Sequence, residues 1–192
     1  MKKLIGSSFL AGLFISIGCI VNLSVGGIPG AVLFSLGLLS VVCYGLKLYT
    51  GTAGFINLRS RKDYGNLALI VIWNIVACAI LAFMVSYSLP DLSSSTIISK
   101  MINLGPIRCG INAILCGILM TLAVKFGRER NWLPLLWAVP VFILSGFRHS
   151  IADGFYISLF GWTPGLLLIW IAEVFGNFIG CNIVRLLCPE KT

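Results

Sequence analysis

Apolar residues run through this chain in six long stretches separated by short polar or basic connections. The first covers about residues 4–23 and closes on a glycine- and proline-containing turn at residues 26–30. The second starts near Pro29, a residue suited to the first turn of a helix, and reaches about Tyr44. The remaining four cover about residues 66–89, 107–126, 132–144 and 163–187. A membrane-crossing helix takes roughly 20 mostly apolar residues. The pattern therefore predicts an all-α membrane protein with six transmembrane helices and a polar loop at residues 90–96 leading to Lys100.

Two of the stretches end in an interruption. Residues 45–54 follow the second and residues 146–154 follow the fifth, and both begin alike, Gly45-Leu46-Lys47 against Gly146-Phe147-Arg148. Three spans in each half imply two inverted repeats, about residues 4–89 and 100–187, within one channel domain spanning 1–192. Interrupted helices at matching places in inverted halves point to a site near the bilayer midplane. Irregular backbone at that depth persists only where it lines a cavity or is buried in protein.

Composition agrees with the pattern. Hydrophobic residues are 58% of the chain and charged residues 10%, well below the quarter or so typical of soluble domains. The formal charge of +8 does not indicate nucleic acid, because the basic residues fall in short clusters between apolar runs. With six spans, Lys2, Lys3, Arg59, Arg61, Lys62, Lys125, Arg128, Arg130, Arg185 and Lys191 share one side. Lys100 and Arg108 mark the other, so both termini are expected in the cytoplasm of a cell with an inner (plasma) membrane. Lys2-Lys3 ahead of an apolar run ending Ile17-Gly18-Cys19 resembles a signal peptide. Its removal would break the two-part repeat, so retention is expected. The seven cysteines form no Cys-x-x-Cys pair and the chain has a single histidine, which excludes a standard zinc site and leaves no cofactor implied. The sevenfold spacings Cys109/Cys116 and Cys181/Cys188 read as small buried side chains.

Candidate chemistry gathers at the interruptions. Arg148, His149 and Asp153 are ionisable groups in an apolar setting, where each costs roughly 2.5–3.5 kcal/mol on insertion scales. An Arg148–Asp153 or Arg148–Glu173 pair accounts for the charges structurally. His149, alone of its kind and on a break, points to function: a bare anion cannot cross hydrocarbon, whereas imidazole can lend a proton or an N–H. Thr50 and Thr52 offer hydroxyls in the other break, although simple turn chemistry also explains them. Lys47 and Lys100 would concentrate anions at the mouths of a pore, or merely snorkel. Asn177 is polar within the last span, and Ala172, Gly176 and Gly180 form a small-residue stripe for close helix contact. No nucleophile has a histidine partner at catalytic spacing, and no glycine loop precedes Lys-Ser/Thr, so an enzyme is not expected.

With these residues in place, the chain resembles the formate/nitrite transporter family from about Gly27 to Leu187. The run from Val32 to Leu38, followed by Gly45-Leu46-Lys47-Leu48-Tyr49-Thr50-Gly51, is similar to the family's second helix and its break. Gly146-Phe147-Arg148-His149-Ser150-Ile151-Ala152-Asp153 resembles its central-histidine motif, and Gly176-Asn177-Phe178-Ile179-Gly180 a later one. The resemblance implies an aquaporin-like fold, pentamers with one pore per subunit, and His149, Thr50 and Asn177 at the pore centre. It also implies constrictions at Phe34, Leu38 and Phe142 and an outer-vestibule lysine at Lys100. Departures are Lys47 and Arg148 in place of acidic residues, Asp153 in place of asparagine, and Gly117 in place of asparagine.

The expected function is passage of small monovalent weak-acid anions, of the formate, nitrite or hydrosulfide type, possible proton coupling included. The expected partners are such an anion, the lipid bilayer and further copies of the chain, with no nucleic acid. A pore-less membrane scaffold, in which an Arg148–Asp153 bridge plugs the centre, and a neutral-solute channel are the alternatives.

Overall fold

The computed structural model describes residues 1–187, which form eight α-helices. In chain order these are α1 (Lys2–Val25), α2 (Gly27–Cys43), α3 (Tyr49–Ala53), α4 (Arg61–Ser88), α5 (Ser95–Arg128), α6 (Leu133–Leu144), α7 (Ser150–Phe160) and α8 (Pro164–Leu187). Four of them, α1, α4, α5 and α8, are long and apolar enough to cross a membrane, while α2, α6 and α7 are shorter apolar helices. Cys188 and Lys191 lie outside the described residues.

The helix ends follow local chemistry. Ser60 caps α4, its hydroxyl accepting from the Asp63 N–H at 3.2 Å, and Asp63 in the first turn suits the positive end of the helix. Pro134 sits in the first turn of α6, where its missing N–H costs nothing.

Two expectations change. The sequence places a polar loop at residues 90–96 and starts the fourth span near Ile107, whereas helix already begins at Ser95 and runs into the remainder of α5 through a kink at Gly105. Gly105 adopts φ 70°, a conformation open to glycine, and Pro106 restarts the helix. Ile98 and Met101, three apart on that first segment, are fully buried, so tertiary packing holds a helix that its short polar sequence does not announce. The interruptions are also shorter than residues 45–54 and 146–154, because helix resumes at Tyr49 and at Ser150.

α5 and α8 pack most intimately, α1 lies between α2 and α4, and further contacts join α2 to α6 and α4 to α7. The α5–α8 seam is made by small residues. A methyl group added at Gly176 would meet Ala113 at 2.8 Å, and one at Gly117 would meet the Asn177 carbonyl oxygen at 2.5 Å. Large apolar side chains such as Ile72, Phe83, Ile107, Trp137 and Phe175 remain more than half exposed. An apolar outer surface of that extent calls for lipid or another subunit rather than water.

Candidate functional site

The ends of α2 and α6 are built the same way. Gly45 and Gly146 take left-handed φ angles of 62° and 73°. The Leu46 N–H bonds to the Val41 carbonyl at 2.8 Å and the Phe147 N–H to the Phe142 carbonyl at 2.9 Å. Inside these, the Gly45 N–H bonds to the Val42 carbonyl at 3.1 Å and the Gly146 N–H to the Ile143 carbonyl at 3.2 Å. These are two Schellman closures, each stopping a helix where its carbonyls would otherwise go unpaired. The chain then passes through extended residues, Leu48 at φ −89° and His149 at φ −111°, and re-enters helix.

Two asparagines hold the restarted helices. Asn74 of α4 accepts from the Tyr49 N–H at 2.9 Å and donates to the carbonyls of Ser8 and Lys47. Asn177 of α8 accepts from the Ser150 N–H at 2.9 Å and donates to the carbonyls of Ala113 and Arg148 at 2.8 and 2.9 Å. Thus Asn177, expected at the pore centre, acts on His149 through the backbone on either side of it and lines no described cavity. Cysteines complete the arrangement crosswise. Cys78 of α4 donates to the Ile151 carbonyl at 3.5 Å, and Cys181 of α8 to the Thr50 carbonyl at 3.3 Å.

Sequence reasoning missed Asn74 and Cys78. Their signal was present as Asn-x-x-x-Cys in the third apolar stretch, matching Asn177 and Cys181 in the sixth. Five residues cannot sustain a helix alone. For α3, Arg128 also donates to the Gly51 carbonyl at 3.0 Å and Asn182 to that of Ala53 at 3.2 Å.

At the meeting point, Thr50 Oγ1 lies 2.9 Å from His149 Nε2, and both residues are buried. His149 Nδ1 accepts from the Ala152 N–H at 3.2 Å as the cap of α7. Because Nδ1 is an acceptor, the neutral ring carries its hydrogen on Nε2, which donates to the threonine hydroxyl. The Phe142 ring stacks on the imidazole with centroids 5.6 Å apart, and Phe34 meets Phe142 edge-on at 5.9 Å. Leu38 is buried beside them on α2.

Cavities lie on either side of this pair. One, of about 440 Å³, is at the Ser95 end of α5 and is lined by Lys100, Phe34, Phe142, Arg148, His149 and Asp153 among others. Asn22 and Tyr156, bonded to each other at 3.2 Å, also face it and were not foreseen. The second, of about 190 Å³, is at the other end of α5 and is lined by Val41, Lys47, Gly51 and Arg128 among others. The two share no lining residue. Lys47 and Lys100 are exposed at opposite cavities.

Arg148 and Asp153 are both buried, with Arg148 Nε 3.4 Å from Asp153 Oδ2. The pair leaves much unsatisfied: Arg148 Nε and Nη1 and Asp153 Oδ2 make no hydrogen bond, and the Glu173 carboxylate finds no donor other than through the neighbouring Asp153 carboxyl. A buried polar group without a partner costs about 1–3 kcal/mol, more when charged. The bridge also leaves the larger cavity open, since both side chains line it.

Comparison with known proteins agrees with this architecture. A solved pentameric formate channel with formate bound superposes with a TM-score of 0.82 at 19% identity, covering 97% of this chain and 94% of that one. A solved FNT family ion channel gives a TM-score of 0.77 at 20% identity, covering 94% and 86%. A Bacillus subtilis (strain 168) protein described as the uncharacterized transporter YrhG is 26% identical over the whole of this chain and 86% of its own length. The profile of the formate/nitrite transporter family matches residues 1–189. Its multi-pass apolar helices place the protein in a membrane, and the chain belongs to the formate/nitrite transporter family of transport proteins rather than to a family of enzymes.

Proposed function

We propose that this protein conducts small monovalent weak-acid anions, of the formate, nitrite or hydrosulfide type, along a path from the Lys100 cavity past Phe34, Phe142, His149 and Thr50 to the Lys47 cavity. In this reading α2 with α3, and α6 with α7, are interrupted spans, giving six crossings in two inverted halves, residues 4–89 and 100–187, of one aquaporin-like domain. The identical closures at Gly45 and Gly146 and the paired asparagines support that symmetry. The exposed apolar surface and the pentameric formate channel's fold support a homo-oligomer, taken here as a pentamer. Loop charge sets both termini in the cytoplasm, with the protein in the inner membrane.

The carrying observation is the 2.9 Å contact between Thr50 and His149, which joins two short helices from opposite halves. An anion leaving water loses its solvation, and hydrocarbon offers nothing in return. Between the two cavities an imidazole N–H aimed at a hydroxyl is a donor that a passing anion can borrow. Were the anion to enter with a proton taken from solution, the neutral imidazole would hold the resulting acid without giving up its own hydrogen. Phe142 and Phe34 keep water away while this happens.

The test is anion flux in liposomes holding the purified protein. Wild type is expected to carry formate or nitrite, and His149→Phe to lose that flux while assembling normally. Wild-type flux in the variant would remove His149 from the path. The separation of the two cavities favours one second reading, a membrane scaffold with no open passage. Absence of flux for every anion across a range of pH would support it. Swelling driven by neutral solutes, insensitive to anions, would instead indicate a neutral-solute channel.

A further inference from the structure

We propose that Arg148 selects small planar oxyanions, of the carboxylate or nitrite type, over single-centre anions such as hydrosulfide. The inference rests on the anion-conducting reading and concerns the same path.

Arg148 lines the cavity of about 440 Å³ beside His149. Its side chain is 10% exposed, and its Nε and Nη1 hydrogens have no acceptor. Buried donors of a native protein are ordinarily paired, so a guanidinium that lines a cavity and has donors left over is able to take an acceptor entering there. The fixed charges around the guanidinium are known from each side. Asp153 on α7 approaches Nε at 3.4 Å without a hydrogen bond, Glu173 on α8 interacts electrostatically, and Lys100 on α5 lines the same cavity. Glu173 is fully buried and lines no described cavity, so it balances charge and does not compete for an entering ligand. Asp153 lines the cavity and is the internal competitor.

Shape decides what fits. A guanidinium is a rigid planar fork whose parallel N–H groups match two oxygens held by one planar centre. Formate and nitrite provide such a pair. Hydrosulfide provides one acceptor atom and gains only the charge, which Lys100 or a lysine at position 148 would supply equally well. Held at Arg148, a planar oxyanion waits next to the imidazole that it passes next.

The test measures half-saturation for formate, nitrite and hydrosulfide in liposomes with the whole protein, wild type against Arg148→Lys and Asp153→Asn. Arg148→Lys keeps the charge and removes the fork. It is expected to raise half-saturation for formate and nitrite about tenfold and that for hydrosulfide less than about twofold. Asp153→Asn removes the competitor and is expected to lower half-saturation for formate about threefold. Equal shifts for all three anions in Arg148→Lys, or unchanged or weaker formate binding in Asp153→Asn, would overturn the assignment. If Arg148→Lys fails to assemble, the direction of the Asp153→Asn change decides. No flux of any anion in wild type would instead be a failure of the underlying channel reading.

Discussion

Asn74 and Asn177 each hold the leading N–H of a restarted helix at 2.9 Å, Asn74 that of Tyr49 and Asn177 that of Ser150. Each also donates to the carbonyl two residues before that N–H, Lys47 in one case and Arg148 in the other. One amide therefore bridges the extended turn on both sides. Thr50 and His149 are presented to each other because both turns are pinned this way.

Replacing Asn74 with leucine should destabilise the protein by about 1–3 kcal/mol for each of the backbone groups it orphans. Thermal unfolding in detergent should show a fall comparable to that of Asn177→Leu, although Asn74 is remote from the histidine in sequence. An unchanged midpoint for Asn74→Leu would mean that the first turn is held by something else.

Thr50→Val preserves shape and removes the acceptor of the His149 Nε2 hydrogen. We expect an assembled protein whose initial anion flux is about tenfold lower, the worth of one ordinary hydrogen bond at the rate-limiting point. Flux equal to wild type would show that the hydroxyl takes no part.

Gly117→Ala sets a methyl group 2.5 Å from the Asn177 carbonyl oxygen and 2.8 Å from the Cys181 nitrogen. Backbone cannot step aside as a side chain can, so α5 and α8 must part, at about 1–3 kcal/mol. Gly65→Ala in α4 is the matched control, since nothing lies within 4 Å of the added carbon. It should stabilise by about 0.5–1 kcal/mol through helix propensity. The two unfolding midpoints should move in opposite directions.

Arg128→Ala removes the donor to the Gly51 carbonyl and a guanidinium 4.1 Å above the Phe55 ring. A cation at the carbonyl end of a short helix is favourable, and its loss should cost about 1–2 kcal/mol. Amide hydrogen exchange over residues 49–53 should quicken. Exchange as slow as in wild type would mean that Cys181 and Asn182 suffice.

Much of this was legible in the chain. Long apolar runs placed α1, α4 and α8 to within a few residues, because a membrane solvent demands length and apolarity together. The glycines at 45 and 146 announced the turns, since a left-handed helix stop has few other solutions. The helix at Ser95–Leu104 was not legible, because its stability comes from Ile98 and Met101 meeting partners far away in sequence. Nor was the part played by Asn177, whose amide reads as a lining group until its bonds to backbone are seen. Gly117 stood out only as a missing asparagine. The α8 backbone leaves no room for a larger residue there.

The crossed bond from Cys181 to Thr50 sets a timetable for biosynthesis. When the ribosome has made residues 49–53, the groups that will cover their carbonyls, on Arg128, Cys181 and Asn182, have yet to be translated. Until the last helix arrives, that segment is too short to persist by itself and is held only from α4 and α5, with two of its carbonyls uncovered. A premature stop just ahead of Cys181 would therefore release a product that contains both His149 and Thr50 and both pinning asparagines, yet lacks two of the three donors that cover the carbonyls of residues 49–53.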